Sequence, residues 1–170
     1  MYRDDFSWAQ RWIPALRRFI GPYLLRVGTL REDRHQATDL IVLDAEGIRI
    51  ACRVRRPGYA KNAWAREITL TTRRESGAST EWDKMILGGW SDWFCYAHAS
   101  ADSPAMGGVL SPAFLLDLAP IRPYLVASAM AVPERPNGDP LGQRCFFRAF
   151  SVDQIMRACG RKAIIAERPR

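Results

Sequence analysis

The residues best suited to chemistry in this chain crowd one segment. Between positions 49 and 74 stand Arg49, Arg53, Arg55, Arg56, Lys61, Arg66, Arg73 and Arg74, with Glu67 as the sole acid. Eight cations against one anion leave the segment at +7, which equals the formal charge of the whole 170-residue chain. The remainder is therefore neutral. A local excess of this kind is the footprint of a surface that meets a polyanion, because guanidinium and ammonium groups pair with phosphates. The bland alternative is a solvated sheet face with Glu67 as its counter-ion. Like charges facing each other across strands are destabilising, which weighs against it.

Other chemistries find less support. The two histidines, His35 and His98, are far apart and lack a metal-binding spacing, so neither a zinc site nor a histidine-based triad is expected. No pair among Cys52, Cys95, Cys145 and Cys159 has C-x-x-C spacing, and the first three sit in apolar runs, as reduced core thiols do. A hydrophobic content of 48% argues against disorder. No apolar run approaches the roughly 20 residues of a membrane span. The first residues, MYRDDFSWAQRW, carry acids and no apolar stretch, unlike a secretory signal. The expectation is a cytoplasmic protein with one globular domain over residues 1–162 and a short tail at 163–170.

The elements that must position the basic segment follow from periodicity. Phe6, Trp12, Ile13, Leu16, Phe19 and Ile20 recur at helical spacing, and Pro14 either starts a second helix or kinks the first. Residues 39–44 (DLIVLD) and 48–55 (IRIACRVR) read as a hairpin closed by Asp44-Ala45-Glu46-Gly47. In the second strand Ile48, Ile50, Cys52 and Val54 share one face, and Arg49, Arg53 and Arg55 the other. In residues 67–73, Ile68 and Leu70 point inward while Glu67, Thr69, Thr71 and Arg73 point outward. Together these predict a half-buried antiparallel meander.

Thr80 caps the helix that follows (EWDKMIL), with Asp83 three residues on and Glu81 and Lys84 as i, i+3 neighbours. Residues 90–99 (WSDWFCYAHA) are aromatic on both faces and read as a central, buried strand. FLLDLAPI (114–121) is a strand running into a turn or short helix, CFFRAF (145–150) is a strand, and Ser151 caps a helix over 151–160. The fold class is α+β or mixed α/β: helix, three-stranded meander, helix, aromatic central strand, then a C-terminal strand and helix.

The runs TDLIVL, IACRVR, EITLTTR and TEWDKMILGGWSDWFCYAHAS, with the later PNGDPL and CFFRAF, resemble a group of small phage and prophage proteins related to the PD-(D/E)XK nuclease-like superfamily. The resemblance covers roughly residues 30–155. It implies two carboxylates on neighbouring strands that hold Mg²⁺, which polarises a scissile phosphate, and a lysine that stabilises charge. Asp39 takes the place of the first acid. Where the superfamily reads acid-x-Lys, this chain reads Cys52-Arg53-Val54-Arg55. The resemblance then implies Glu67 as the second metal ligand, with Glu81 and Lys84 completing the catalytic set from the helix. Without catalysis it implies a relative that binds nucleic acid, DNA foremost, through Arg49, Arg53, Arg55, Arg56, Lys61, Arg73 and Arg74. A phage factor that inhibits a host defence complex through an acidic protein surface is the third expectation. Trp64 and Trp82 would anchor such an interface if they are exposed, and belong to the core otherwise.

Overall fold

β5 (Trp93–Ala99) is the spine of the molecule, as its double-sided aromatic sequence predicts. A computed structural model of the chain describes residues 7–8, 10–27, 40–42, 47–59, 65–137 and 144–169. β5 pairs in parallel with β3 (Ile50–Arg55) and antiparallel with β6 (Leu110–Asp117). β6 in turn pairs with β9 (Ile164–Arg168), giving a four-stranded mixed sheet in the order β3-β5-β6-β9. A second sheet joins β4 (Glu67–Arg74), β8 (Cys145–Ser151) and β7 (Arg135–Asn137), all antiparallel, in the order β4-β8-β7. β1 (Leu25–Val27) and β2 (Leu40–Val42) form a separate two-stranded ribbon.

The fold is α+β with mixed sheets. Within that class the expected meander does not form. β2 pairs with β1, β3 pairs with β5, and β4 lies in the other sheet, so none of the three is hydrogen-bonded to the next. Local alternation sets each strand's faces but carries no information about its partner, which for β3 lies some forty residues away and for β4 some eighty. The C-terminal tail is corrected too: Ile164–Arg168 is β9, an integral strand.

Helix α1 (Ile13–Ile20) starts with Pro14 in its first turn, where the missing N–H costs nothing. It buries Leu16, Phe19 and Ile20 against Cys95, Ala97 and Leu115 on one face of the four-stranded sheet. The opposite face carries Phe94, Tyr96, Phe114 and Leu116, which meet Ile68 and Leu70 of β4 and Phe150 of β8. Helices α2 (Leu118–Ser128) and α3 (Val152–Cys159) close this larger core with Ile121, Leu125 and Ile155. Ser151 caps α3, as expected, by accepting from the Gln154 N–H at 3.3 Å. The segment after β4 is a π-helical turn (Trp82–Leu87). Its capping box forms: the Asp83 carboxylate accepts from the Thr80 N–H at 2.8 Å, and the Thr80 hydroxyl accepts from the Asp83 N–H at 3.2 Å. Trp82 stacks on Phe150 with centroids 5.9 Å apart and belongs to the core, not to an exposed interface.

Candidate functional site: a polar cleft between the two sheets

The parallel pairing of β3 with β5 decides what the ionic face of β3 meets. Arg53 lies in register with Tyr96, and Arg55 with His98. Residues in register on neighbouring strands share a face, so the arginines of β3 and the polar tips of β5 point together toward β4. The face expected to be solvated is therefore turned inward. Thr69 and Thr71 of β4 are buried on it.

At the end of β3, Arg55, Tyr59, Glu67, Thr69, Tyr96 and His98 line a small cleft of about 10 Å³, on the order of one water molecule. The Thr69 and Tyr96 hydroxyls are hydrogen-bonded at 2.8 Å. His98 is only 2% exposed, and its ring packs edge-on against Tyr96 with centroids 5.5 Å apart. Among the described residues, neither of its ring nitrogens has a hydrogen-bond partner, and neither does the buried Oε2 atom of Glu67. Burial, reinforced by the nearby positive charge of Arg55, pushes His98 down to about 4. Its imidazole is thus neutral at pH 7, with one nitrogen able to donate and the other to accept. Arg55 stands at the mouth, its guanidinium 4.2 Å from the centroid of Tyr59, which is 49% exposed.

The remaining arginines have other fates. Arg49 grips the Asp92 carboxylate through its side chain at 3.2 Å and its backbone N–H at 2.8 Å. Arg53 pairs with Glu81 and donates to the Thr69 carbonyl at 3.0 Å, while Glu81 accepts from the Thr71 N–H at 2.9 Å. These two backbone groups lie on the edge of β4 that no strand among the described residues covers, so the ion pair stands in for a strand partner there. Arg66 is clamped by Asp153 at 2.7 Å and by Glu167. Arg73 lies over Phe146, 3.5 Å from its centroid, and pairs with Glu134 at 3.3 Å. The Thr72 hydroxyl, aided by Arg73, holds Glu134 below the usual carboxylate range. Arg56 lies 5.5 Å over the Trp8 ring, and Arg74 is exposed at the far end of β4. The acids that neutralise Arg49, Arg53, Arg66 and Arg73 all come from outside the basic segment, which is why the segment's own count overstates its free charge.

Among the expected site residues, the structure brings Glu67 and Arg55 together. It separates Glu81, which is tied to Arg53 rather than to Lys84, and Lys84 is exposed on the π-helical turn. Asp39, Lys61 and Trp64 lie outside the described residues. Among the described residues, no three of His, Cys, Asp and Glu gather closely enough to hold a metal ion. Glu67 could offer one carboxylate to Mg²⁺, but its neighbours in the cleft are a guanidinium, an imidazole and neutral hydroxyls. That set does not fit a magnesium ion, which prefers carboxylates and water.

His98 and Tyr96 are the site residues that sequence reasoning missed. The signal was present in the alternation Phe94, Tyr96, His98, which gives one face of β5 polar tips. The four cysteines are all free thiols, and Cys52, expected in the core, is exposed on the edge strand beside Cys95. No family model matches the chain, and neither does any curated protein or solved structure.

Proposed function

We propose that the protein engages nucleic acid at the end of β3, with Arg55 as the principal phosphate contact and Tyr59 as a face on which a base stacks. The single observation that supports this reading is the placement of Arg55. It is held by an aromatic ring, and no carboxylate among the described residues pairs with it. An arginine stacked on tyrosine keeps its N–H donors free for a phosphate, and single-stranded chains are bound through such combinations of cation and aromatic. Titration of labelled single- and double-stranded DNA and RNA at two salt concentrations tests it. Binding weakens with salt, and Arg55→Ala lowers the salt slope by about one. Equal binding by the wild type and Arg55→Ala would remove the proposal.

A second reading, phosphodiester hydrolysis at the same place, is favoured by the buried His98 and the half-buried Glu67, which line the cleft with Arg55. A neutral imidazole and a carboxylate facing one small space can hold a water and accept its proton. Cleavage that persists in EDTA and is lost in both His98→Gln and Glu67→Gln supports this reading. Cleavage that needs Mg²⁺ or Mn²⁺ assigns the chemistry to a metal site elsewhere, and no cleavage leaves a binding protein.

A further inference from the structure

At the opposite edge of the four-stranded sheet lies a groove of about 510 Å³, lined by Tyr23, Met156, Arg161 and four consecutive residues of β9, Ile164, Ile165, Ala166 and Glu167. Successive side chains of a strand point to opposite faces of the sheet. A space touched by four in a row therefore runs along the strand's edge rather than over one face. That edge is open: among the described residues β9 pairs only with β6. The groove also has a wall on each side of the sheet. Tyr23, just beyond α1, packs edge-on against Phe19 on the α1 side. Met156 stands on α3, whose Val152 and Ile155 belong to the core on the other side. A slot walled on both faces of a sheet, with unpaired backbone along its floor, has the shape of a missing strand.

Among the described residues its charge is one-sided. Arg161 lines it, and the exposed Arg157, Lys162 and Arg168 directly follow Met156, Arg161 and Glu167 of its lining in the chain. The acid lining it, Glu167, is committed to Arg66, and Asp153 on α3 is committed to the same guanidinium. We propose that the edge of β9 is a docking site for an extended acidic peptide of a partner protein, which adds to the sheet as a fifth strand. The apolar flanks Ile164, Ile165, Ala166 and Met156 suit alternating aliphatic side chains, and the rim suits carboxylates. A nucleic acid would match the rim but not the row of backbone donors and acceptors, which favours a peptide.

The probe is a fluorescent, end-blocked heptapeptide of alternating glutamate and valine, with two controls: the same peptide N-methylated at alternate residues, and its lysine counterpart. The full chain binds the acidic probe saturably in fluorescence anisotropy, and hydrogen exchange slows over Ile164–Arg168 alone. N-methylation weakens binding roughly tenfold or more, since it removes backbone donors. The exposed double variant Arg161→Glu/Lys162→Glu weakens it several-fold without changing the melting temperature. No binding by the acidic probe, or equal binding by the methylated or lysine control, overturns the proposal. It is also overturned if β9 is protected in the free protein in a concentration-dependent way, which would mean that a second copy fills the slot. Displacement of the acidic probe by single-stranded DNA from the same exchange-protected residues would do so as well.

Discussion

Arg53 and Arg55 stand two residues apart on β3, point from the same face, and are indistinguishable by local sequence. Arg53 is joined to Glu81 and spans the gap to the Thr69 carbonyl, with side chains only 24% and 30% exposed. Arg55, one step further along, lies over Tyr59, and although Glu67 lines the same cleft, no carboxylate among the described residues forms an ion pair with this arginine. The first arginine is structural: it satisfies an open sheet edge and links the two sheets. The second is held in place by a ring that leaves its charge to be used. The difference shows that a count of arginines measures neither free charge nor function. What matters is which of them the fold has supplied with a carboxylate.

The largest expected effect separates the two positions through pH. His98 sits beside Arg55, not Arg53, and its folded pKa of about 4 lies below the ordinary histidine value. The unfolded chain therefore binds a proton that the folded chain excludes, and stability falls as pH drops from about 6.5 toward 4, by about 3 kcal/mol in all. Carboxylates held low by their partners, such as Asp92 and Asp153, lose their contribution only below the usual carboxylate range. Urea unfolding at pH 7, 6 and 5 should show the loss, and His98→Gln should flatten it. Arg55→Ala should raise the folded pKa and narrow the same window.

Next in size is Glu81→Gln, which leaves Arg53 without its counter-ion in a half-buried setting. A loss of about 2 kcal/mol in urea unfolding is expected, with nucleic-acid binding unchanged at temperatures where the variant is folded. Arg55→Ala should do the reverse: stability should change by under about 1 kcal/mol, while affinity for nucleic acid falls by about 1 kcal/mol, roughly fivefold. The smallest effect belongs to Arg73→Ala. Its exposed pair with Glu134 and its stacking on Phe146 should cost about 0.5 to 1 kcal/mol of stability, and it should leave binding unaltered.

Much of the fold was legible where the signal is local. The capping box of Thr80 and Asp83, the Ser151 cap, the double-sided aromatic strand of β5 and the strand at CFFRAF all depend on residues a few positions apart. Strand pairing did not follow, because alternation in β3 and β4 is equally compatible with a shared meander and with facing sheets. The polar face of β4 looked solvated since Thr69 and Thr71 are polar, yet both are buried against β5 and the Arg53–Glu81 pair. Glu67 was singled out from sequence, but its companions Tyr96 and His98 come from a strand whose parallel register with β3 nothing local encodes. KAIIAERPR read as a tail because its strand is short and its partner, β6, lies some fifty residues back.

The most direct test of the central claim compares Arg55→Ala with Arg73→Ala in salt-dependent binding of a single-stranded oligonucleotide. The account predicts that Arg55→Ala binds about fivefold more weakly with a salt slope reduced by about one, while Arg73→Ala matches the wild type. Equal losses in both variants, or none in either, would contradict the assignment of Arg55 as an arginine that the fold leaves free to act.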